Sequence, residues 1–505
     1  MPLQATGGGG YSPMNIVDPI LFQCRLNAPA PAICAPGTPL NILSYGRLER
    51  FIHNISHKAI AAGLMAGQTV AVMVQDKLFH AALTLALIRL GVVTISARTP
   101  SLPAELSVDA LIADAAVRSE NVKHLIVADL SWTEGDGTPL ADGRLYRGSG
   151  DDICRIVLTS GSTGTPKGVA FTHRMLADRI ARYAFAKGNR FPHTRRLYCD
   201  LGMSTSPGFR YMLYMLWKGG TIFFYGQSPE DTVQAFQLYG IEAMVASPHG
   251  LHGFVRFYES YAALQSSFDH IISSGGLLTK ALAEGVRARL CANIISSYGS
   301  TEVGTVASAP AHMIEGTPGA VGFVTPGVTV EIVDVEGNIL PPGKDGSVRI
   351  CGPGNAHGYV ADAEETARVF RDGWFYPGDT GHLTANGLLV LSGRERNVLN
   401  IGGDKVQPEL VEQVLAAFPA VAQAAACTLP NAYGIDELYA LIVQRGPIDR
   451  RALAAHCANA LSAGFVPEHF VLVDALPRNA AGKLDRARLG GLARQKSAAT
   501  DVRHG

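Results

Sequence analysis

The sequence has no excess of charge of either sign. It contains 43 basic and 43 acidic residues among 505, so its formal net charge is zero, and only 17% of its residues are charged. A surface that binds nucleic acid or an acidic membrane needs a local excess of basic residues. The composition therefore predicts neither a nucleic-acid partner nor binding to an acidic membrane.

The cysteines lack any close pairing. All eight are scattered along the chain without a Cys-x-x-Cys pair. This distribution is typical of free thiols in a reducing compartment and argues against a zinc site. Residues 1–20 also lack the basic start and apolar core of a secretory signal. We therefore expect a cytoplasmic protein.

Long uninterrupted apolar runs are missing as well. The longest, residues 81–95, is broken by Arg89 and Gly91 and is too short to span a bilayer. It is more typical of a buried helix that leads into a strand. What the sequence does have is length and apolar content, since 505 residues that are 47% hydrophobic exceed one ordinary domain and can bury a large core.

Residues 44–98 alternate between helical and strand patterns. Strands are predicted over Thr69–Val74 and Val92–Ser96, with a helix over Leu78–Leu90 between them. This alternation indicates a parallel sheet with helices on its faces. Residues 317–360 instead show short alternating apolar patterns, which predict antiparallel strands and a distorted β-barrel. The last hundred or so residues predict a small α+β unit.

The stretch Leu158–Val169, LTSGSTGTPKGV, carries the first chemical signal. Five hydroxyl residues and three glycines surround Lys167, directly after an apolar strand over residues 155–158. Glycine lets the backbone approach a ligand, and hydroxyl, N–H and ammonium groups can all donate to phosphate oxygens. A Walker A loop is excluded, because Gly168 follows the lysine where that motif needs Ser or Thr. The stretch predicts a phosphate-binding loop.

This loop resembles that of the adenylate-forming superfamily, which includes acyl- and aryl-CoA synthetases, adenylation domains of nonribosomal peptide synthetases, and luciferases. The resemblance spans roughly residues 40–490. It implies a large multi-lobed N-terminal domain, 1–394, and a small mobile C-terminal domain, 395–505, that carries the catalytic lysine. It also implies that the nucleotide contacts the phosphate loop through Thr159, Ser160, Gly161, Ser162, Thr163, Gly164 and Lys167.

A second motif, Ile294–Gly304, reads IISSYGSTEVG. The flat ring of Tyr298 is suited to stacking on a purine, and the Glu302 carboxylate is suited to Mg²⁺. The family's tyrosine–glycine–x–threonine–glutamate signature implies catalytic roles for Thr301 and Glu302. It also implies that further nucleotide contacts come from Ser297, Gly299, Gly275, Gly276, Asp379 and Arg394, with Asp379 accepting the ribose hydroxyls.

The C-terminal motifs match the family in the same order. Arg396 corresponds to its hinge, where aspartate or lysine is usual, so arginine is a departure. Gly402 and Gly403 correspond to the loop that lines the approach of the thiol in CoA ligases. Lys483, in a glycine–lysine turn near the C-terminus, corresponds to the catalytic lysine.

The acyl-substrate pocket implied by the family involves Ser206, Arg210, Ser247 and Gly275. Amino-acid-activating relatives place an aspartate in this region, whereas residues 203–210, MSTSPGFR, contain no acidic residue. Asp200 lies just before this stretch and outside the region that we match to the family's pocket. Arg210 is either a solvated or helix-capping arginine or a cation for a second carboxylate or another polar group of the substrate.

These residues predict an acid–thiol ligase that uses ATP and Mg²⁺. A carboxylic acid would form an acyl-adenylate with release of pyrophosphate, and the acyl group would then pass to a thiol, for which CoA is favoured. One alternative is a freestanding enzyme that loads the phosphopantetheine of a carrier protein. Another is a degenerate homologue that binds nucleotide without ligase activity. The acid and the oligomeric state are not predicted.

Overall fold

The structure is a computed structural model. It describes residues 14–100, 102–117, 119, 121–141, 146, 148–159, 166–185, 191–261, 266–394, 399–401, 404–406, 408–461, 463–478 and 484–501. The predicted hinge Arg396, Gly402, Gly403, Lys483 and the phosphate-loop residues Ser160–Thr165 lie outside these ranges. For Arg394 only the backbone is described.

The helices of the described part are as follows, in chain order: α1 Asp18–Leu26, α2 Tyr45–Ala61, α3 Lys77–Arg89, α4 His173–Tyr183, α5 Ser206–Trp217, α6 Pro229–Leu238, α7 Pro248–Ser260, α8 Lys280–Arg289, α9 Ala363–Val369, α10 Pro408–Ala416, α11 Arg450–Ala460 and α12 Leu489–Asp501. Within the described residues, no helix is both long enough and apolar enough to cross a membrane.

Seven strands form the first sheet, in the spatial order β18-β8-β7-β4-β3-β5-β6. Strands β3 to β7 run parallel where they pair, while β8 is antiparallel to β7 and β18 to β8. Helix α3 is buried almost all round, because its sequence is apolar on every face. The strand bounds are β3 Thr69–Met73, β4 Val93–Ser96, β5 Val108–Ala113, β6 Val122–Val127, β7 Ile153–Thr159, β8 Lys167–Thr172 and β18 Tyr359–Val360.

A fifteen-stranded sheet runs through the rest of the large domain, in the order β19-β20-β17-β21-β22-β15-β14-β13-β12-β11-β9-β10-β1-β2, with β16 paired to β17. Its bounds are β1 Pro31–Cys34, β2 Ile42–Ser44, β9 Arg196–Cys199, β10 Thr221–Phe224, β11 Ala243–Ala246, β12 His270–Ser274, β13 Ile294–Ser300, β14 Gly304–Pro310, β15 Ala320–Val324, β16 Thr329–Val333, β17 Gly346–Cys351, β19 Phe370–Arg371, β20 Trp374–Phe375, β21 Asp379–Leu383 and β22 Leu388–Arg394.

The sheet changes character at β13. This strand pairs in parallel with β12 on one side and antiparallel with β14 on the other. The antiparallel strands predicted for residues 317–360 are confirmed, and they continue the same hydrogen-bonded ladder beyond β14.

The C-terminal part has its own small core around a three-stranded sheet of β25 Val421–Pro430, β26 Asp436–Gln444 and β27 His469–Leu472. A two-stranded ribbon, β23 Leu399–Ile401 and β24 Asp404–Val406, precedes it. Pro408 is the first residue of α10, where proline is tolerated because the first helical turn leaves its N–H groups unpaired. The predicted α/β class, with a large N-terminal and a small C-terminal domain, is confirmed, while the boundary after residue 394 remains a prediction.

Most predicted elements near the motifs occur within a few residues of their predicted ends. Helix α4 begins at His173, because the Thr172 side chain accepts a hydrogen bond from the Met175 N–H and caps the helix. Helices α1, α6, α7, α8, α9 and α12 are absent from the sequence-based prediction. All eight cysteines lie in described residues and are free thiols, as expected.

Candidate active site

The predicted phosphate loop joins two antiparallel strands. β7 and β8 pair from Ile153↔Thr172 to Thr159↔Lys167, so Thr159 and Lys167 face each other where the loop begins and ends. The Thr159 hydroxyl also donates to the Lys167 carbonyl at 3.3 Å. The strand predicted before the loop is therefore one arm of a hairpin.

Lys167 forms an ion pair with Glu365, a residue that the sequence analysis did not predict to be part of the site. Its ammonium is 2.6 Å from Oε1 of Glu365 on α9, and the Lys167 side chain is only 5% exposed. Arg368 also binds Glu365, and the Tyr359 ring lies 5.3 Å from the Lys167 ammonium. Burial by itself raises the pKa of Glu365, but hydrogen bonds from Arg368 and Lys167 outweigh it and lower that pKa to about 2. In this arrangement Lys167 fixes α9 against β8.

Glu302 lies in the turn between β13 and β14 and is 7% exposed. The Tyr359 hydroxyl donates to its Oε1 at 2.8 Å, and Ala356 N–H donates to its backbone carbonyl at 2.7 Å. The turn depends on Gly299, because a Cβ there would lie 2.0 Å from the Gly304 carbonyl oxygen. The glycine of the motif is thus required by the tight approach of the two strands.

Arg179 of α4 binds the backbone of the turn that carries Glu302. Its guanidinium donates to the carbonyls of Thr301 (2.9 Å) and Glu302 (2.7 Å), and also to that of Gly354 (2.9 Å). Burial, reinforced by Arg182 and Arg210, lowers the pKa of Arg179 to about 9, against the opposing effect of Glu302. By donating to these three carbonyls, Arg179 fixes the backbone of the turn and leaves the Glu302 carboxylate available for other contacts.

Tyr298 and Asp379 meet directly. The Tyr298 hydroxyl donates to Oδ2 of Asp379 at 2.5 Å, and Asp379 is 3% exposed. Asp379 is the first residue of β21 and pairs with Arg394 of β22 in the ladder. Tyr298 and Asp379, which are 81 positions apart in the sequence and are both predicted to contact the nucleotide, are therefore in direct contact.

Arg210 is buried rather than solvated. It is 6% exposed and stacks on the rings of Tyr183 (5.0 Å) and Tyr211 (4.6 Å). The solvated-arginine alternative is therefore wrong. Ser206 lies one turn earlier at the start of α5, which Thr205 caps by accepting from Gly208 N–H. Across the described ranges, no carboxylate forms an ion pair with Arg210.

Ser247 and the Gly275–Gly276 turn are brought together at the carboxyl ends of β11 and β12. A Cβ at Gly276 would lie 3.2 Å from Pro248, the first residue of α7, and Gly275 has φ +98°. The Ser247 hydroxyl caps α7 by accepting from Gly250 N–H at 3.0 Å. Its side chain thus has a structural role in addition to the predicted place in the pocket.

Asp200, which the sequence analysis placed outside the predicted pocket, lies close to Ser247 and Gly250. It follows β9, accepts a hydrogen bond from the Tyr198 hydroxyl at 3.0 Å, and lies against Gly250. Burial raises the pKa of Asp200, although Tyr198, His249 and Lys77 oppose the shift. The carboxylate therefore lies at the same sheet edge as the predicted pocket.

Sequence reasoning missed Tyr359, Glu365 and Arg179. Arg179 did carry a signal, because it falls in the apolar stripe of α4 between Leu176 and Ile180. A charged residue at a buried helical position needs specific partners. Tyr359 and Glu365 carry no such local signal, since their partners are distant in sequence.

Two family descriptions match different parts of the chain. Residues 23–360 match the family described as AMP-binding enzyme, and residues 410–483 match the AMP-binding enzyme C-terminal domain. A 4-chlorobenzoate–CoA ligase from Arthrobacter is 26% identical over 480 residues, which cover 88% of this chain and 89% of the relative. A fatty acid–[acyl-carrier-protein] ligase from Streptomyces coeruleorubidus is 24% identical over 511 residues, 94% of this chain and 95% of the relative.

Among solved structures, an amide bond synthetase from Marinactinospora thermotolerans superimposes with a TM-score of 0.81 at 24% identity, covering 95% of this chain and 99% of that one. This likeness concerns the fold. The family match covers well over half of the chain, and it confirms the resemblance and the prediction of an enzyme of the ligase class. The chain belongs to the AMP-binding enzyme family.

Proposed function

We propose that this enzyme activates a carboxylic acid with ATP and then transfers the acyl group to the thiol of CoA. In the first step a carboxylate oxygen of the acid bonds to the α-phosphorus, and the bond from that phosphorus to pyrophosphate breaks. In the second step the sulfur bonds to the acyl carbon and AMP leaves. The observation that carries the proposal is the hydrogen bond from Tyr298 of β13 to the buried Asp379, together with the buried Glu302 in the turn that follows β13.

The residues around Glu302 fit a magnesium ion. Tyr359 binds Oε1, and within the described part of the chain no hydrogen bond reaches Oε2. Mg²⁺ is typically held by one or two carboxylates together with water and substrate phosphates. Glu302 would hold such an ion, which would supply positive charge to the phosphates. Tyr359 and Arg179 would keep the carboxylate in place.

Asp379 and Tyr298 would bind the nucleoside. The Asp379 carboxylate would accept from the ribose hydroxyls, and the Tyr298 ring would stack on the purine while its hydroxyl orients Asp379. Lys483 would add a cation to the phosphates during the first step. A C-terminal domain that turns about Arg396 would withdraw this lysine and bring Gly402 and Gly403 towards the thiol.

We further propose that the acid carries a second anionic or strongly polar group. Arg210 is buried, and within the described residues it has two aromatic faces beside it but no carboxylate in ion-pair contact. A buried cation without a countercharge is costly, and a substrate anion would compensate it. The Arg210 guanidinium would also select such acids against monocarboxylates of the same size.

The decisive experiment is ATP–pyrophosphate exchange with a library of carboxylic acids, followed by thioester analysis with CoA. Exchange with at least one acid and formation of its CoA thioester are expected. No exchange with any acid, together with measurable ATP binding, would favour the degenerate homologue. Exchange with no CoA thioester, but with acylation of a phosphopantetheinylated carrier protein, would favour the alternative acceptor that the carrier-protein ligase from Streptomyces supports.

The substrate class is tested with Arg210→Met. The variant is expected to raise the KM for diacids roughly tenfold to hundredfold, the effect of losing one hydrogen bond to a charged group, and to leave the KM for ATP unchanged. Arg256→Met, at an exposed position of α7, is the matched control. An equal change for monoacids and diacids would contradict the proposed role.

A further inference from the structure

A cluster of metal-ligating side chains lies in the C-terminal domain, away from the proposed active site. Glu437 is the second residue of β26, His469 is the first residue of β27, and Glu468 precedes it. One ligand atom from each of these residues lies within 4.8 Å of the other two. The parallel pairing of β26 with β27 brings the three together.

Neighbouring groups hold two of these side chains in position. Asn431 donates to Oε1 of Glu437 at 2.8 Å, and Nε2 of His469 lies 2.7 Å from Oε2 of the same carboxylate. The Tyr439 ring stacks on the His469 imidazole with 4.1 Å between centroids. Such fixation lowers the conformational entropy that a ligand set loses when it binds an ion.

The charges of the cluster also favour a cation. Burial raises the pKa of Glu468, and the negative charge of Glu437 raises it further. The pKa of Glu437 is lowered overall. Burial raises this pKa, but the hydrogen bonds from Asn431 and His469 lower it by more. Two carboxylates that repel each other beside one imidazole are relieved by a bound divalent cation.

Helix α7 of the large domain carries two more imidazoles, those of His249 and His252, near the cluster. The turn between β25 and β26 docks there, since the Tyr433 hydroxyl donates to Oε1 of Glu259 at 2.7 Å and the Tyr433 ring lies 4.9 Å from that of His252. His252 is close enough for its charge to act on Glu437, and His249 for its charge to act on Glu468.

We propose that Glu437, Glu468 and His469 bind a divalent transition-metal ion of the zinc class, with His249 or His252 of α7 as a further ligand. Mixed oxygen and imidazole ligands suit zinc, cobalt or nickel better than magnesium or calcium, which prefer oxygen alone. The absence of paired cysteines argued against zinc, but this ligand set contains no cysteine. An ion held from both sides would fix the C-terminal domain against α7.

The test is calorimetric titration of the full, chelator-treated chain with Zn²⁺, without nucleotide or magnesium. One ion per chain is expected, and His469→Gln and Glu437→Gln should each weaken its binding by about tenfold or more. His456→Gln is the matched control, because Nε2 of His456 binds the Val414 carbonyl and His456 is not part of the cluster. Urea unfolding of each variant shows whether it is folded.

Three results would overturn the proposal. They are no Zn²⁺ binding by the wild-type chain, unchanged binding in His469→Gln, or equal weakening in His456→Gln. The double variant His249→Gln, His252→Gln tests the ligand from α7. It should bind more weakly than wild type, and unchanged affinity would show that the ion does not bridge the domains. The visible spectrum of bound Co²⁺ provides an independent measure of the coordination number of the site.

Discussion

The two halves of the fifteen-stranded sheet differ in how they contribute to the site. In the parallel half, strands such as β10 and β11 are buried along their whole length, and their sequences are continuous apolar runs. In the antiparallel half, strands such as β16 and β17 alternate between buried and more exposed residues. This contrast is general, because parallel sheets are covered on both faces.

The consequence is a different source of functional groups in each half. In the described part of the chain, the parallel strands place the candidate site residues Asp200, Ser247 and Gly275 in the turns at their carboxyl ends, as expected for open α/β sheets. The antiparallel half supplies a side chain from within a strand, Asp379. β13 borders both halves, and it carries Tyr298 and leads into the Glu302 turn. We expect residues of the parallel half to determine the affinity for the acid, and residues of the antiparallel half to determine the affinity for the nucleotide.

The largest effect should follow from a change where the two halves meet. Glu302→Gln keeps an acceptor for Tyr359 but removes the charge for magnesium and the phosphates. Pyrophosphate exchange should fall by roughly 10²–10³, the scale for losing one preorganised electrostatic group. The variant should also need more Mg²⁺ for half-maximal rate. Glu336→Gln, in an exposed turn of the antiparallel half, serves as control, and wild-type exchange in Glu302→Gln would refute the assignment.

The second prediction concerns the ion pair that joins the first sheet to α9. Glu365→Gln leaves the Lys167 ammonium buried without its countercharge, so the free energy of unfolding should fall by about 3 kcal/mol at neutral pH. The folded pKa of Glu365 is lowered from 4.5 to about 2, so this stabilisation is present above pH 4.5 and is lost as the pH falls towards 2.

Urea unfolding of wild type and variant at a series of pH values measures this loss. Glu364→Gln, the exposed neighbour on α9, is the control and should resemble wild type throughout. A difference between wild type and Glu365→Gln that stays constant down to the lowest pH would contradict the ion pair as its cause.

The third prediction tests whether a residue of the antiparallel half affects the binding of the nucleotide but not that of the acid. Asp379→Asn should weaken AMP binding by about 1.5–3 kcal/mol and raise the KM for ATP, because a charge-assisted contact to the ribose is lost. The KM for the acid should stay unchanged. Calorimetry with AMP provides the measurement, and Asp372→Asn, in an exposed turn, provides the control. If Asp379→Asn raised the KM for the acid as much as that for ATP, the division of labour between the halves would be wrong.

The sequence predicted the parts of this architecture that depend on local pattern. Strands β3, β4 and β7 and helix α3 follow from apolar runs and their spacing, which act over a few residues. The contacts of Lys167 with Glu365 and of Arg179 with the Glu302 turn were not predicted, because their partners lie more than a hundred residues away. The burial of Arg210 was also undecided, since one helix-borne arginine gives no measure of what packs around it. The roles of Lys483, Arg396, Gly402 and Gly403 remain predictions.

The smallest effect is expected from Tyr298→Phe, which keeps the ring and removes only the hydroxyl. If the ring stacks on the purine, most of the nucleotide affinity should survive. The hydroxyl acts through Asp379, to which it donates at 2.5 Å. Its loss should therefore weaken AMP binding by about 0.5–1.5 kcal/mol, less than Asp379→Asn does. Because the two residues act on the ribose through one carboxylate, the double variant should be no weaker than Asp379→Asn alone, and a double-mutant cycle with AMP measures this coupling. Strictly additive losses would mean that Tyr298 contacts the nucleotide independently, and that the bond across the junction of the two halves does not position Asp379.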